Sequence, residues 1–298
     1  MLAPIILFVY NRPKNTKEVL ESLSHCILAE ASSIFIFSDA PKNDEAISLV
    51  NEVRCIIDND KWKKKFKEVT IYKNSNNKGL ATSVITGVTK IFNNNEKVIV
   101  IEDDNRVSID FLDYMNRGLD FYEDDLSIGM IGGYTVPIKF PKDYKYDVYK
   151  MGRGSSYAWA TWKNRWDKVD WEVSDYNIFK KSRRMKRAFN YYGNDRVYML
   201  NNQMNGKIDS WAIRFAYFMF KNNMYAILPV HTKVENIGFD GRGVHNVAGE
   251  TRFINKIPNQ IKKVNFANVE LDERIRRKYV QKFKEKLNVR IKRIIKIG

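Results

Sequence analysis

Val98-Ile99-Val100-Ile101-Glu102-Asp103-Asp104-Asn105 runs four β-branched residues straight into three carboxylates and an amide. An apolar run this short, bounded by polar residues, reads as a buried strand, central in a parallel sheet. The acids then stand at its carboxyl end, where open α/β sheets hold their ligand crevice. Carboxylates clustered in a crevice are costly unless a cation or a hydrogen-bonding ligand answers their charge. Hard oxygen donors of this kind suit Mg²⁺ or Mn²⁺ carrying a diphosphate, not a soft metal. The plainer alternative is an acidic strand end that faces solvent.

Upstream, the same pattern repeats. Residues 5–10 read as a first strand ending in Asn11-Arg12-Pro13, with Asn15 or Thr16 capping a helix to about residue 29. Residues 33–37 are a second strand ending in Ser38-Asp39-Ala40-Pro41, with a helix through residue 56. Residues 69–73 are a third, followed by the loop Asn74-Ser75-Asn76-Asn77-Lys78-Gly79 and a helix over about 81–92. Strand and helix alternation of this kind predicts an α/β fold with a mostly parallel central sheet flanked by helices. Asn11 and Arg12, Asp39, the Asn-rich loop and the acids all fall at strand ends, on one rim.

Downstream, residues 110–122 read as an amphipathic helix and 128–132 as a strand. Residues 144–171 are dense in tyrosine and tryptophan, and most of these rings are expected in a core. Tyr157 and Trp159, beside Gly152-Arg153-Gly154-Ser155-Ser156, are the ones expected to stack on an acceptor sugar. Asp209-Ser210-Trp211 opens a helix over 211–221, ahead of a strand over 224–229. Read alone, Asp209 suits a helix N-cap. The loop from Gly238 to His245 carries three glycines around Arg242, so its backbone can approach a phosphate closely. Residues 271–297 combine helical apolar spacing with many Lys and Arg, which fits either a helix on an anionic membrane surface or a solvated helix packed by one face.

The 298 residues hold 51 Lys and Arg against 35 Asp and Glu, a net charge of +16 that favours an anionic partner. Cys26 and Cys55 suggest neither a disulfide framework nor a zinc site. The apolar start is too short for a membrane span and lacks the basic residues and cleavage site of a signal. A cytoplasmic protein is expected, peripheral on the inner membrane face through its basic end.

Together these residues resemble a GT-A-fold glycosyltransferase, of the group similar to the Golgi N-acetylglucosaminyltransferase that initiates complex N-glycans and its bacterial polysaccharide-synthesis relatives. The resemblance rests on Val9-Tyr10-Asn11-Arg12-Pro13, Ser38-Asp39, Ile101-Glu102-Asp103-Asp104, Asp209-Ser210-Trp211 and Gly238 to His245. It implies a metal-dependent, inverting hexosyl transfer from a nucleoside diphosphate, UDP, to a glycan acceptor, lipid-linked or not, in surface polysaccharide synthesis such as capsule or lipopolysaccharide. Arg12 would contact the donor diphosphate, Asp39 the uracil, Glu102 a sugar hydroxyl and Asp103 the ribose or a metal-bound water. Asn11, Asn77, Lys78 and Gly79 would line the same donor site. Asp104 would ligate Mn²⁺ or Mg²⁺, His245 would reach phosphate or metal, and Asp209 would be the general base. Ser210 departs from the pattern, which often has a second acid there. The implied organisation is a catalytic domain over 1–250, with a nucleotide-binding half (1–133) and an acceptor-binding half (134–250), then a basic helical tail over 251–298.

Two other classes compete. A sugar-nucleotide-forming nucleotidyltransferase uses similar sheets and acids, but the Gly-rich, Arg- and Lys-bearing loop expected right after its first strand is missing. A non-catalytic basic protein binding nucleic acid or membrane would explain the charge; yet acids alternate with bases along the chain and no nucleic-acid motif appears, so no nucleic acid is expected.

Overall fold

The computed structural model describes residues 1–238, 251–260 and 262–284. β1 (Ile5–Val9) leads through α1 (Pro13–Ser24) to β2 (Ser33–Ser38), then α2 (Asp44–Ile57), β3 (Glu68–Lys73), α3 (Leu80–Phe92) and β4 (Lys97–Glu102). Local chemistry sets the helix starts. In α2 the Asn43 side chain accepts from Ala46 N, with Asp44 and Glu45 in the first turn. In α1, Pro13 occupies the first turn, where its missing N–H has no partner to lose. That proline displaces the cap expected at Asn15 or Thr16: Asn15 Nδ2 instead donates to Ile237 O at 3.3 Å, and Thr16 is buried.

The chain continues through β5 (Asn105–Val107), α4 (Phe111–Phe121), β6 (Ile128–Gly132), β7 (Val148–Met151) and β8 (Trp159–Trp162). Next come α5 (Lys163–Trp166), α6 (Tyr176–Lys181), α7 (Arg183–Phe189), α8 (Arg196–Met204) and α9 (Trp211–Lys221). β9 (Tyr225–Pro229), β10 (Val234–Asn236) and α10 (Glu273–Lys282) complete it. The central sheet has the order β3-β2-β1-β4-β8-β6-β9-β7, and β5 and β10 form a separate antiparallel pair. β8 is antiparallel to β4 and to β6, and β7 is antiparallel to β9; the remaining strands run one way. The architecture is therefore α/β with a mostly parallel sheet, and that sheet is continuous across residue 133.

Register brings the functional rim together. Phe8 pairs with both Phe37 and Glu102, Val9 with Ser38, and Ser38 with Lys73, so the carboxyl ends of β1 to β4 are level. In β4, residues Val98, Ile99, Val100 and Ile101 have no exposed surface. Helices on both faces explain why that strand is apolar without alternation. Trp162 Nε1 donates to Leu119 O in α4 at 3.1 Å, whereas Trp159, on the other face, stacks on Trp211 of α9 with ring centroids 4.6 Å apart.

Helix α9 is a wall shared by two cores. Trp211, Phe215 and Phe218, spaced i, i+4, i+7, join the main core. Ile213 and Tyr217 join a smaller one with Val173, Tyr176, Phe179, Phe189 and Leu200. In the expected tail, residues 285–298 lie outside the described residues. Its described part packs on the body: Val264, Val269, Ile275 and Tyr279 are buried, and Tyr122 Oη donates to Ala267 O. Helix there is confined to a short 3-10 turn at Thr251–Phe253 and to α10, whose cap is Asp272. Among the described residues no helix is long and apolar enough to cross a membrane.

Candidate active site

β4 delivers Glu102 to the rim, and the chain turns through Asp103 and Asp104 into β5. Glu102 is half-buried, while Asp103 and Asp104 are buried. Because β1 is the neighbour of β4, the turn after β1 reaches all of this: Tyr10 N donates to Asp103 Oδ2 at 3.0 Å, and Arg12 Nη1 donates to Asp104 Oδ2 at 3.0 Å. From α9, the Trp211 side chain hydrogen-bonds Glu102; its only polar donor is the indole N–H. Three crowded acids thus face one guanidinium. Burial, reinforced by Asp104 and Asp103, pushes the Glu102 carboxyl up to about 8 against the opposing pull of Arg12. Burial and then Asp104 push Asp103 up to about 7.

Asp39, expected at the uracil, is hydrogen-bonded within the protein. Its Oδ1 accepts from Ala40 N, Asn74 Nδ2 and Lys78 N, and its Oδ2 accepts from Lys78 N and Gly79 N, all at 3.0–3.1 Å. A carboxylate has about four lone-pair positions, so reading a nucleotide base would require breaking one of these bonds. Asp39 is the anchor of the 74–79 loop. Asn77 Nδ2 closes the same loop onto Ala40 O at 2.7 Å, and Lys78 keeps its side chain exposed. Arg54, from α2, braces it from below, donating to Asn74 O at 2.8 Å and to Ser38 Oγ at 3.4 Å. Arg54 shares the inward face of α2 with Val50, Val53 and Ile57. A charge in that apolar stripe was the sequence signal for its role.

Asp209 is not the cap of α9. Ser210 is: its side chain accepts from Ile213 N, which also accounts for the serine at that position. The Asp209 carboxylate is left 56% exposed, 3.5 Å from Arg214 Nη2. Gly79, at φ +73°, is the residue beside it: a Cβ there would lie 3.5 Å from Asp209 Oδ2. Asp209, the 74–79 loop and, through Trp211, Glu102 therefore share one rim.

The segment after β10 lies across the acids. Ile237 N donates to Asp104 O at 2.8 Å, and a Cβ on Gly238 would fall 2.6 Å from Asp104 Oδ2 and 2.9 Å from Arg12 Nη1. Only glycine fits this approach. The expected loop beyond it, with His245, lies outside the described residues. Asn11 is half-buried in the turn after β1.

Of the two rings expected to stack on a sugar, Trp159 is corrected. It has no exposed surface and lies between Trp211 and Trp166, at 4.6 and 5.7 Å. Strand pairing at Val100 places it inside the sheet sandwich, and ring pairs of this kind add about 0.5–1.5 kcal/mol each to the core. Tyr157 is half-buried at the acid rim, edge-on to Tyr134 at 5.0 Å.

No group of three or more His, Cys, Asp or Glu side chains among the described residues forms a ready metal cage. The donor chemistry nonetheless fits a hard cation in one respect. Three carboxyl groups share one guanidinium there, Asp104 adding to burial in raising both Glu102 and Asp103, and a diphosphate would bring further negative charge. Asp104 offers oxygen donors of the kind Mn²⁺ or Mg²⁺ takes.

No family model and no curated protein matches the chain. Among solved structures it is similar to S. aureus TarS, at 11% identity and a TM-score of 0.43, over 78% of this chain and 36% of that one. For S. aureus TarS 1–349 the figures are 11%, 0.43, 78% and 60%. For TarS 1–349 in complex with UDP-GlcNAc they are 14%, 0.34, 49% and 36%. The matches thus span less than two thirds of each TarS chain. A likeness of this size says nothing about chemistry, which is left to the residues themselves.

Proposed function

We propose that the chain is a glycosyltransferase of the GT-A kind, moving a sugar from a UDP-sugar to a glycan acceptor in bacterial surface polysaccharide synthesis. The observation that carries this reading is one rim holding a buried acid cluster, an arginine paired to it, and an exposed carboxylate that caps nothing. Arg12 would bind the donor diphosphate and Glu102 a hydroxyl of the donor sugar, with Asp103 on the ribose. Asn11 and the Asp39-anchored loop at Asn77, Lys78 and Gly79 would line the donor. Asp104 would hold Mn²⁺ or Mg²⁺, which when bound supplies charge to the departing diphosphate.

Asp209 would take the proton of the acceptor hydroxyl as its oxygen bonds to the anomeric carbon. The bond from that carbon to the diphosphate breaks in the same displacement, its electron pair leaves with the phosphate oxygen, and the configuration inverts. Tyr157 would meet the acceptor, a glycan on a lipid or free.

The test is thermal stabilisation of the full chain by a panel of nucleotide sugars with and without Mn²⁺, followed by UDP release with glycan acceptors. A ligand at one hundred times its Kd adds about 2.7 kcal/mol, so one UDP-sugar should stand out, and only with the ion. Pyrophosphate release from a nucleoside triphosphate, with no nucleotide sugar stabilising the chain, would replace this reading with a nucleotidyltransferase.

A further inference from the structure

The end of the sheet away from the acids carries a second feature. Gly152 follows β7 and Tyr225 opens β9, which pair at Met151 and Ala226, so the cavity of about 630 Å³ that both line lies at the amino ends of the parallel strands. Arg183, Arg184 and Arg187 of α7 and Arg196 of α8 also line it, with Tyr191 and Tyr192. Arg196 is 1% exposed, and its guanidinium donates to Phe189 O at 3.1 Å and Ala216 O at 3.2 Å. Carbonyls satisfy its N–H groups without cancelling its charge. The adjacent Asp195 is already engaged by both Nη atoms of Arg153, at 2.6 and 2.9 Å. Among the described residues Arg183, Arg184 and Arg187 have no carboxylate partner either. Burial and the charge of Arg153 push Arg196 down to about 9. Guanidinium forks around one hollow match the oxygens of a phosphate.

The surroundings distinguish a lipid phosphate from a dissolved one. Ile178 on α6 is 67% exposed and Tyr191 is 44% exposed. Lys180, Lys181 and Lys186 accompany them in sequence, and Arg276 of α10 reaches Tyr191 O at 2.8 Å. Apolar and aromatic side chains standing among cations are the mark of a surface that enters a headgroup layer. We propose that this rim docks on an anionic membrane and that the cavity takes the phosphate headgroup of an anionic phospholipid.

Docking of this face is independent of the chemistry at the acids, and the test uses no sugar donor. The full chain is sedimented with vesicles of equal parts phosphatidylglycerol and phosphatidylcholine, or of phosphatidylcholine alone. Arg183→Gln/Arg187→Gln is compared with Lys142→Gln/Lys145→Gln, which removes the same charge from exposed positions ahead of β7, at the acid end of the sheet. The expected result is binding to the anionic vesicles only. The arginine pair should weaken it on the order of tenfold or more and the lysine pair less than about twofold; Ile178→Ser should weaken it with the melting temperature unchanged. Equal losses from the two double variants would reduce the effect to general charge and overturn the proposal. So would stabilisation by glycerol phosphate or inorganic phosphate in a chain that ignores the vesicles.

Discussion

Arg12 and Asp104 form an ion pair of 3.0 Å across the ends of β1 and β4, with side chains 14% and 12% exposed. It is the cationic contact that the described structure gives this acid, and Gly238 covers it. The rim is held in shape by attraction between a residue of the first turn and one of the fourth, while Glu102 and Asp103 push against the same centre.

The two halves of that pair are therefore unequal. Arg12→Gln leaves three acids without their guanidinium and should cost about 3 kcal/mol, the scale for stranding a buried charge. Asp104→Asn leaves Arg12 with Glu102 and Asp103 to attract it and should cost distinctly less. Urea unfolding at neutral pH measures both, and equal losses would mean that crowding among the acids is unimportant.

Glu102 and Asp103, held at about 8 and about 7, give stability a definite dependence on pH. Their unfolded values are near 4, so the unfolded chain releases these protons first as pH rises. The contribution is fully present below about pH 4 and is lost as pH climbs through 7 to 8. With a chelator present, Glu102→Gln should flatten that decline and melt higher than the natural chain at pH 8. Parallel melting curves across the range would contradict the assignment.

Asp209 is exposed and caps nothing, so Asp209→Asn should leave the melting temperature within a degree or so while UDP-sugar transfer falls by roughly 10²–10⁴, the usual worth of a general base. Ser210→Ala is the complementary variant. It removes the cap of α9 and should lose about 1 kcal/mol of stability. A transfer rate untouched in Asp209→Asn would remove the base from the mechanism.

Gly238→Ala places a methyl 2.6 Å from Asp104 Oδ2 and 2.9 Å from Arg12 Nη1. The ion pair must part or the segment must lift. Binding of UDP, followed by calorimetry with Mn²⁺, should weaken at least tenfold, whereas Gly206→Ala, strained at φ +68° but with no atom within 4 Å of the added methyl, should lower the melting temperature and leave UDP binding unchanged.

The parallel half of the fold was legible because each of its strands is a compact apolar run closed by polar residues. The strand at 98–101, the helix at 211–221 and the rim of strand ends follow from that pattern. β7 and β8 were not legible: Val148–Met151 and Trp159–Trp162 sit in an aromatic stretch whose rings go to both faces of the sheet, so no alternation appears. The same stretch misled the reading of Trp159, since a tryptophan beside a glycine-rich loop looks alike whether its ring meets a ligand or three other rings. Asp39 shows the opposite difficulty. Its position at the rim could be read, but the four donors that hold it could not, because three of them come from residues 74–79, more than thirty positions away.

Trp211 touches Glu102 with its indole N–H and lies flat on Trp159. An indole pair in contact with a carboxyl group responds to charge beside it, so the near-ultraviolet dichroism and fluorescence are expected to change when Glu102 or its two neighbouring acids gain or lose a proton. Filling of the rim should then be visible in unlabelled protein, by light alone.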